Sequence, residues 1–253
     1  MRHFPGNAMI RFSHGVATDV GRVRKVNEDS YLALPPLYAV ADGMGGHGAG
    51  DIASALAIDV LTPYARLPLS VSVILAALDE ANDAIIRGDQ GSGMGTTIAG
   101  LALLDPAEGS RLMVFNVGDS RVYRLAEGRL DQVTVDHSAV QELVQLGAIT
   151  REQARTHPRR NIVTRALGGA TDLRPDHWLL PPVTGDRYLV CSDGLNGELP
   201  DAALRELLVA GSPQQAAEAL VTAANDAGGH DNTTAIVVDV TVESTDPNTH
   251  SGS

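Results

Sequence analysis

Cysteine is almost missing: the 253 residues contain one, Cys191, so no internal disulfide can form and no Cys/His zinc spacing exists. Lysine is equally scarce. Lys25 is the single example among 19 basic residues, which face 31 acidic ones, and a formal charge of −12 leaves no cationic excess for a nucleic-acid backbone. Long hydrophobic runs are absent as well. Stretches such as Thr97–Leu104 fall far short of the roughly 20 apolar residues that span a bilayer. The opening MRHFPGNAMIRF carries Pro5 and Gly6 where a secretion signal needs an unbroken apolar core. These deficits point to a reducing cytoplasm, with no membrane span and no nucleic acid as partner.

What is present is enough for a large core. At 43% hydrophobic and 20% charged, with no shift in composition along its length, the chain reads as one domain. Residues 1–11 read as an N-terminal extension, 12–242 as the domain and 243–253 as a polar, disordered tail. Strands are expected at Val16–Val20, Tyr31–Leu34 and Leu37–Ala41. Helices with apolar stripes follow at Gly50–Leu61 and Val71–Ile86. Four strands come next, Thr96–Leu104, Arg111–Val117, Arg121–Leu125 and Arg129–Val135, with a tight turn at Glu127-Gly128, and read as consecutive antiparallel hairpins. After an irregular, partly helical stretch, strands resume at Asp176–Leu180 and Arg187–Ser192. Two helices follow, the second opening on Ser212-Pro213 with Gln215 as a capping box and closing at Gly228-Gly229. The last strand, Thr234–Val242, is β-branched nearly throughout and reads as interior. This order suits an α+β, four-layer α/β/β/α sandwich of two antiparallel sheets flanked by antiparallel helix pairs.

The chemistry-bearing residues are acidic and sit where strands meet loops: Glu28 and Asp29, Asp42, Asp119, Asp193 and Asp231. One rim of a sandwich could gather them. Carboxylates packed together raise one another's pKa and destabilise a fold unless protons or divalent cations neutralise them. All-oxygen ligands favour Mg²⁺ or Mn²⁺.

Gly43-Met44-Gly45-Gly46-His47-Gly48 matches the dinucleotide-binding pattern G-x-G-x-x-G, and it follows a strand and opens a helix. That reading is rejected. A second helix, not a parallel strand, follows the first, and Asp42 would repel a pyrophosphate. A phosphate-binding P-loop fails because no Gly-Lys-Ser/Thr is present.

Arg24-x-x-Asn27-Glu28-Asp29, Asp42-Gly-Met-Gly-Gly-His47, Gly95-Thr96-Thr97, Gly118-Asp119-Ser120-Arg121, Ser192-Asp193-Gly194 and Asp231-Asn232 occur in that order over residues 12–242. The set resembles the metal-dependent PP2C (PPM) protein phosphatases of the bacterial single-domain type. Each motif alone is weak, but six in order are specific. The resemblance implies a hydrolase of phosphoserine and phosphothreonine in proteins, with two core Mn²⁺ or Mg²⁺ ions. It implies that Asp42 bridges both ions, Asp193 and Asp231 complete one, and the Gly43 carbonyl joins Asp42 on the other. Glu28 and Asp29 then act through ordered waters. A hydroxide bridging two ions about 3.5–4 Å apart would attack phosphorus in line. Arg24 takes the place of the phosphate clamp and His47 that of the general acid. Asp119, with Asp193, would hold a third ion. Residues 136–169 resemble the flap of bacterial members, with Asn161 where some relatives place Ser or Asp toward that ion. A bacterial Ser/Thr kinase and its substrates are the implied partners, and a monomer the expected state.

Each residue also has a plainer reading. Asp before Gly is a common turn residue. Arg24 could pair with Glu28 on the surface, and His47 could be a solvated loop residue. Arg151, Arg155, Arg159, Arg160 and Arg165 could carry ordinary ion pairs on an exposed helix. Cys191 has Gly197, not Arg, six residues on, so a cysteine-phosphatase loop is excluded, and its strand position reads as packing. Met44, two residues after Asp42, excludes the D-x-D pattern of aspartyl-phosphate enzymes. A catalytically silent phosphoprotein-binding module on the same fold is the alternative. A structural cation-binding protein is a third reading, weakened by the absence of D-x-D-x-D-G loops.

Overall fold

The computed structural model describes residues 8–46, 48–89, 91–105, 110–169 and 171–244. In chain order the elements are β1 (Ala8–Asp19), β2 (Asp29–Leu34), β3 (Leu37–Met44), α1 (Gly50–Leu61), α2 (Val71–Gly88), β4 (Gly95–Thr96), β5 (Ile98–Leu103) and β6 (Leu112–Val117). Then come β7 (Arg121–Ala126), β8 (Arg129–Gln132), α3 (Ala139–Gln145), α4 (Arg151–Arg155), β9 (Asp176–Leu180) and β10 (Arg187–Cys191). The chain closes with α5 (Asp193–Glu198), α6 (Asp201–Val209), α7 (Pro213–Ala227) and β11 (Thr233–Ser244).

One sheet runs β1-β11-β10-β7-β8 and the other β2-β3-β5-β6-β9, with β4 added beside β3. Every pairing is antiparallel. The strands alternate small and large apolar residues on two buried faces, which produces three apolar layers. Tyr38, Val40 and Leu101 meet Val122, Tyr188 and Ile236 between the sheets. Ala53, Ala57, Leu78 and Ile85 of α1 and α2 pack on Phe115 and Met113 outside one sheet. Leu204, Leu208, Leu220 and Ala224 of α6 and α7 pack on Leu189 and Val237 outside the other. This is the expected four-layer sandwich. Helix ends follow local chemistry: Ser212 and Gln215 form a reciprocal capping box at α7, and Pro213 sits in its first turn.

Four details differ from the sequence expectation. β1 begins at Ala8, and its register with β11 runs from Ala8↔Ser244 to Asp19↔Thr233, so limits at 12 and 242 fall inside paired strands. Residues 1–7 and 245–253 lie outside those described. The strand expected over Thr96–Leu104 is broken at Thr97. β6 and β7 do not form a hairpin but belong to different sheets, the chain crossing between them at Gly118–Ser120. Gly118 makes that crossing with φ +112, where a Cβ would also meet the Thr97 side chain at 2.6 Å. Finally, a short third helix, α5, precedes the two expected ones. Among the described residues no helix is long and apolar enough to cross a membrane.

Candidate active site

The crossing at Gly118 and the ends of β3, β10 and the loop into β11 meet at one rim of the sandwich, and the acidic residues collect there. Asp42, near the end of β3, is held through its backbone. Its N–H donates to Thr97 Oγ1 at 3.1 Å, and its carbonyl accepts from Thr97 N at 2.9 Å and Thr96 Oγ1 at 2.9 Å. Thr97 Oγ1 also lies 2.7 Å from Ser120 Oγ, which ties the Asp42 segment to the loop that carries Asp119. Gly43 has no room for a side chain, since a Cβ there would sit 2.1 Å from the Gly50 carbonyl oxygen.

Asp29 stands opposite Asp42 in the β2–β3 register. Its Oδ2 accepts from Ser192 Oγ and Thr234 Oγ1, both at 2.7 Å, so one carboxylate of one sheet is gripped by hydroxyls of the other. Asp193 follows Ser192 at the first turn of α5. Asp231 precedes β11, where its Oδ2 accepts from Arg24 Nη2 at 2.7 Å. Asn232 anchors the segment bearing Arg24 and Glu28: its Oδ1 accepts from Glu28 N at 2.8 Å, and its Nδ2 donates to the carbonyls of Val20 and Val26.

Electrostatics report the crowding directly. Burial, then Asp29, Asp193, Asp119 and Asp231, push the Asp42 carboxyl well above its usual range. Asp29 is raised to about 7 by burial against the lowering bonds from Thr234 and Ser192, with Asp193 and Asp231 adding to the rise. Burial and Asp231 raise Asp193, partly offset by a hydrogen bond from Asp42 and by Arg121 and Arg24. Asp119 is raised well above its usual range by burial and then by Asp193 and Asp136. Glu28 is raised by burial, with Arg24 opposing. Among the described residues no three His, Cys, Asp or Glu side chains already form a group that could hold a metal ion. The donor set nonetheless suits hard divalent cations. It is all oxygen, its members destabilise one another as anions, and Asp29 Oδ1 is buried with no hydrogen-bond partner.

The flap rises beside this rim and is tied at its root. Thr96 and Leu167 exchange both backbone bonds, Ala139 N donates to the Ile162 carbonyl, and Thr164 N donates to the His137 carbonyl. His137 Nδ1 accepts from Gly118 N at 3.0 Å, and its Nε2 lies 3.2 Å from Asp176 Oδ2, which fixes Nε2 as the protonated nitrogen. A cavity of about 330 Å³ opens between the flap and α5, and Asp119, Asp193 and Asn161 are among its walls.

The structure therefore brings Glu28, Asp29, Asp42, Asp119, Asp193, Asp231 and Arg24 to one rim. Arg24 pairs with Asp231; its attraction to Glu28 is weaker and no helical turn joins them. His47 lies outside the described residues. Cys191 is fully buried, with Sγ 3.9 Å from Asn196 Oδ1 and its thiol pushed by burial to about 12, so it stays protonated and inert. Sequence reading assigned no role to Thr97, Ser192, Thr234, Asn232 or His137. Ser192, Thr234 and Asn232 carry a signal, a hydroxyl or amide residue within three positions of a strand-end aspartate; Thr97, 55 residues from the Asp42 it holds, and His137 carry none.

The comparisons with known proteins agree with one another. The Protein phosphatase 2C family model matches residues 24–223. The serine/threonine phosphatase stp of Listeria innocua is 36% identical over 242 residues, 88% of this chain and 93% of its own length. The crystal structure of the serine/threonine phosphatase PstP of Mycobacterium tuberculosis superposes with a TM-score of 0.85 at 37% identity, covering 91% of this chain and 99% of that one. A catalytic domain of PstP solved in complex with two manganese ions gives 0.84 at 37% identity, covering 92% and 99%.

Proposed function

The chain belongs to the protein phosphatase 2C family and is a serine/threonine protein phosphatase, and from that premise we propose that it works with two Mn²⁺ or Mg²⁺ ions held at the carboxylate rim. Asp42, Asp193, Asp231 and the Gly43 carbonyl are the proposed ligands, Glu28 and Asp29 hold ordered waters around them, and Asp119 with Asp193 takes a third ion. The observation that carries this reading is the mutual elevation of Asp42, Asp29, Asp193 and Asp119, which bound cations would relieve. When bound, the ions supply the positive charge that makes water a nucleophile near neutral pH.

The protein's own groups do the rest. Thr96 and Thr97 fix the Asp42 backbone, so its carboxylate would meet an ion without reorganisation. Arg24 spends one Nη2 bond on Asp231, which leaves the remaining N–H groups of its exposed guanidinium to clamp two phosphoryl oxygens. His47 donates the proton that lets the seryl or threonyl oxygen depart as an alcohol. A bacterial Ser/Thr kinase is the proposed opposing partner, with the phosphatase a cytoplasmic monomer.

Hydrolysis of p-nitrophenyl phosphate and a phosphothreonine peptide tests this. Activity is expected with Mn²⁺ or Mg²⁺, none in EDTA, and a roughly thousandfold fall in Asp42→Ala and Asp231→Ala. Turnover that persists in EDTA rejects the two-ion mechanism. Inactivity with every ion restores the silent phosphoprotein-binding reading.

A further inference from the structure

In a chain with 31 acidic against 19 basic residues, an arginine readily finds a carboxylate. Arg11, Arg22, Arg24, Arg121, Arg124 and Arg187 all do so. The flap is the exception. Of its five arginines, Arg165 alone pairs, with Asp176 at 3.1 Å and the Arg174 carbonyl at 2.9 Å. Among the described residues the side chains of Arg155 and Arg160 have no polar partner, and Arg151 feels only its neighbour Glu152. The side chains of Arg66 and Arg111 also lack one among the described residues, but they lie singly, outside the flap.

Arg151, Arg155 and Arg160 share one more property: all three are exposed and all three line the 330 Å³ cavity beside the rim. The acids that face them are accounted for individually. Asp119 and Asp193 belong to the carboxylate cluster. Asp136 is bound to Arg121 at 2.6 Å. Glu152 turns back to Thr150 and its own backbone at the start of α4. Asp201, opposite the flap, is the one acid left over. Three exposed guanidinium groups and one carboxylate thus border a space that begins at the proposed reaction centre. Building on the two-ion phosphatase reading, the geometry points to a second anion subsite. Arg151, Arg155 and Arg160 bind a carboxylate or second phosphate that neighbours the target phosphoresidue in the substrate chain, and so favour acidic or multiply phosphorylated segments.

Exposed guanidinium–anion pairs are individually weak, so the subsite tunes selection and leaves turnover alone. The test compares kcat/KM on three phosphothreonine peptides, with neutral flanks, with glutamates near the phosphothreonine, and with a second phosphothreonine there. The wild type is expected to favour the anionic peptides roughly fivefold or more, and less so at 1 M salt as charges are screened. R151Q/R155Q/R160Q should erase that preference and leave p-nitrophenyl phosphate hydrolysis intact. A gain with glutamate identifies a carboxylate-reading site, and a gain only with the second phosphate identifies a dianion-reading one; either supports the subsite. No preference in the wild type, a preference that survives the triple substitution, or an equal loss on p-nitrophenyl phosphate would each overturn it. If the wild type hydrolyses nothing, the mechanism has failed rather than the cavity. Fluorescence anisotropy of the doubly phosphorylated peptide then decides, with equal affinity for wild type and triple variant overturning the subsite.

Discussion

The carboxylate rim and the flap lie side by side, yet they are built on opposite terms. The rim is fixed from below by strands buried on both faces: Ser192 and Thr234 reach from one sheet to Asp29 of the other, while Thr97 and Asn232 hold the backbones of Asp42 and Glu28. The flap has two short helices, and α4 buries no residue at all. Backbone bonds at its root join it to β4, to the turn at His137 and to itself. Like charges can be held together only by a scaffold whose opening would cost a core, whereas cations that meet a variable partner need only to be presented. Rigid chemistry beside lightly tethered recognition is what the difference teaches.

The largest effect that sharpens this comparison is a pH slope in metal-free protein. Asp29 has a native pKa of about 7, above its ordinary value, so between roughly pH 4 and 7 the fold binds more protons than the unfolded chain. Stability present at the acid end is therefore lost as pH rises to about 7, by an amount on the order of a few kcal/mol shared among the coupled acids. His137, lowered by burial, gives a slope of opposite sign, losing stability as pH falls below its ordinary pKa. Thermal melts of the wild type and Asp29→Asn separate the two contributions. Saturating Mn²⁺ should flatten the carboxylate part. A wild type with the same slope as Asp29→Asn would mean that the rim is not crowded.

A smaller effect is expected for Thr97→Val, which keeps the shape but strips the Asp42 N–H and the Ser120 hydroxyl of a partner in a buried setting. The cost is about 1–3 kcal/mol in chemical denaturation, with at least a tenfold fall in turnover from a loosened Asp42. Unchanged turnover would show that the rim tolerates play.

The smallest effect comes from a matched pair. Ser212 caps α7 and Thr150 caps α4 through the same reciprocal box. Ser212→Ala should cost about 1 kcal/mol and roughly 2–4 °C of melting temperature, because α7 packs on the sheet. Thr150→Ala loses the same bonds but should leave the global melt in place and raise only hydrogen exchange within 150–156. Equal melting shifts would show that the flap is part of the cooperative core.

Much of this architecture was readable beforehand because most elements announce their own period. Leu37–Ala41 is a continuous apolar run ended by Asp42 and its glycine loop, and α7 carries both its caps in its letters. The features that escaped reading depend on partners distant in sequence. Residues 8–11, Ala-Met-Ile-Arg, are too short a run after Pro5-Gly6 to announce a strand, and become one only beside β11. β6 into β7 reads as a hairpin because nothing local reveals that Gly118 passes the chain from one sheet to the other. α5, with Gly194 and Gly197, has little helical propensity and is held by its buried Leu195. The acids and Arg24 were legible from their strand-end positions. The hydroxyls that grip them come from residues distant in sequence, and the commitment of Arg165, unlike its four flap neighbours, was visible only once Asp176 had a place.

The twelve-residue pairing of β1 with β11 sets the order of events on the ribosome. β1 has no other neighbour in its sheet, so it stays unpaired until β11, more than 200 residues later in the chain, is made. Asp231 and Asn232 arrive just ahead of that final strand. Asp231 of the proposed site and the partner that β1 needs are therefore supplied by the same stretch of chain.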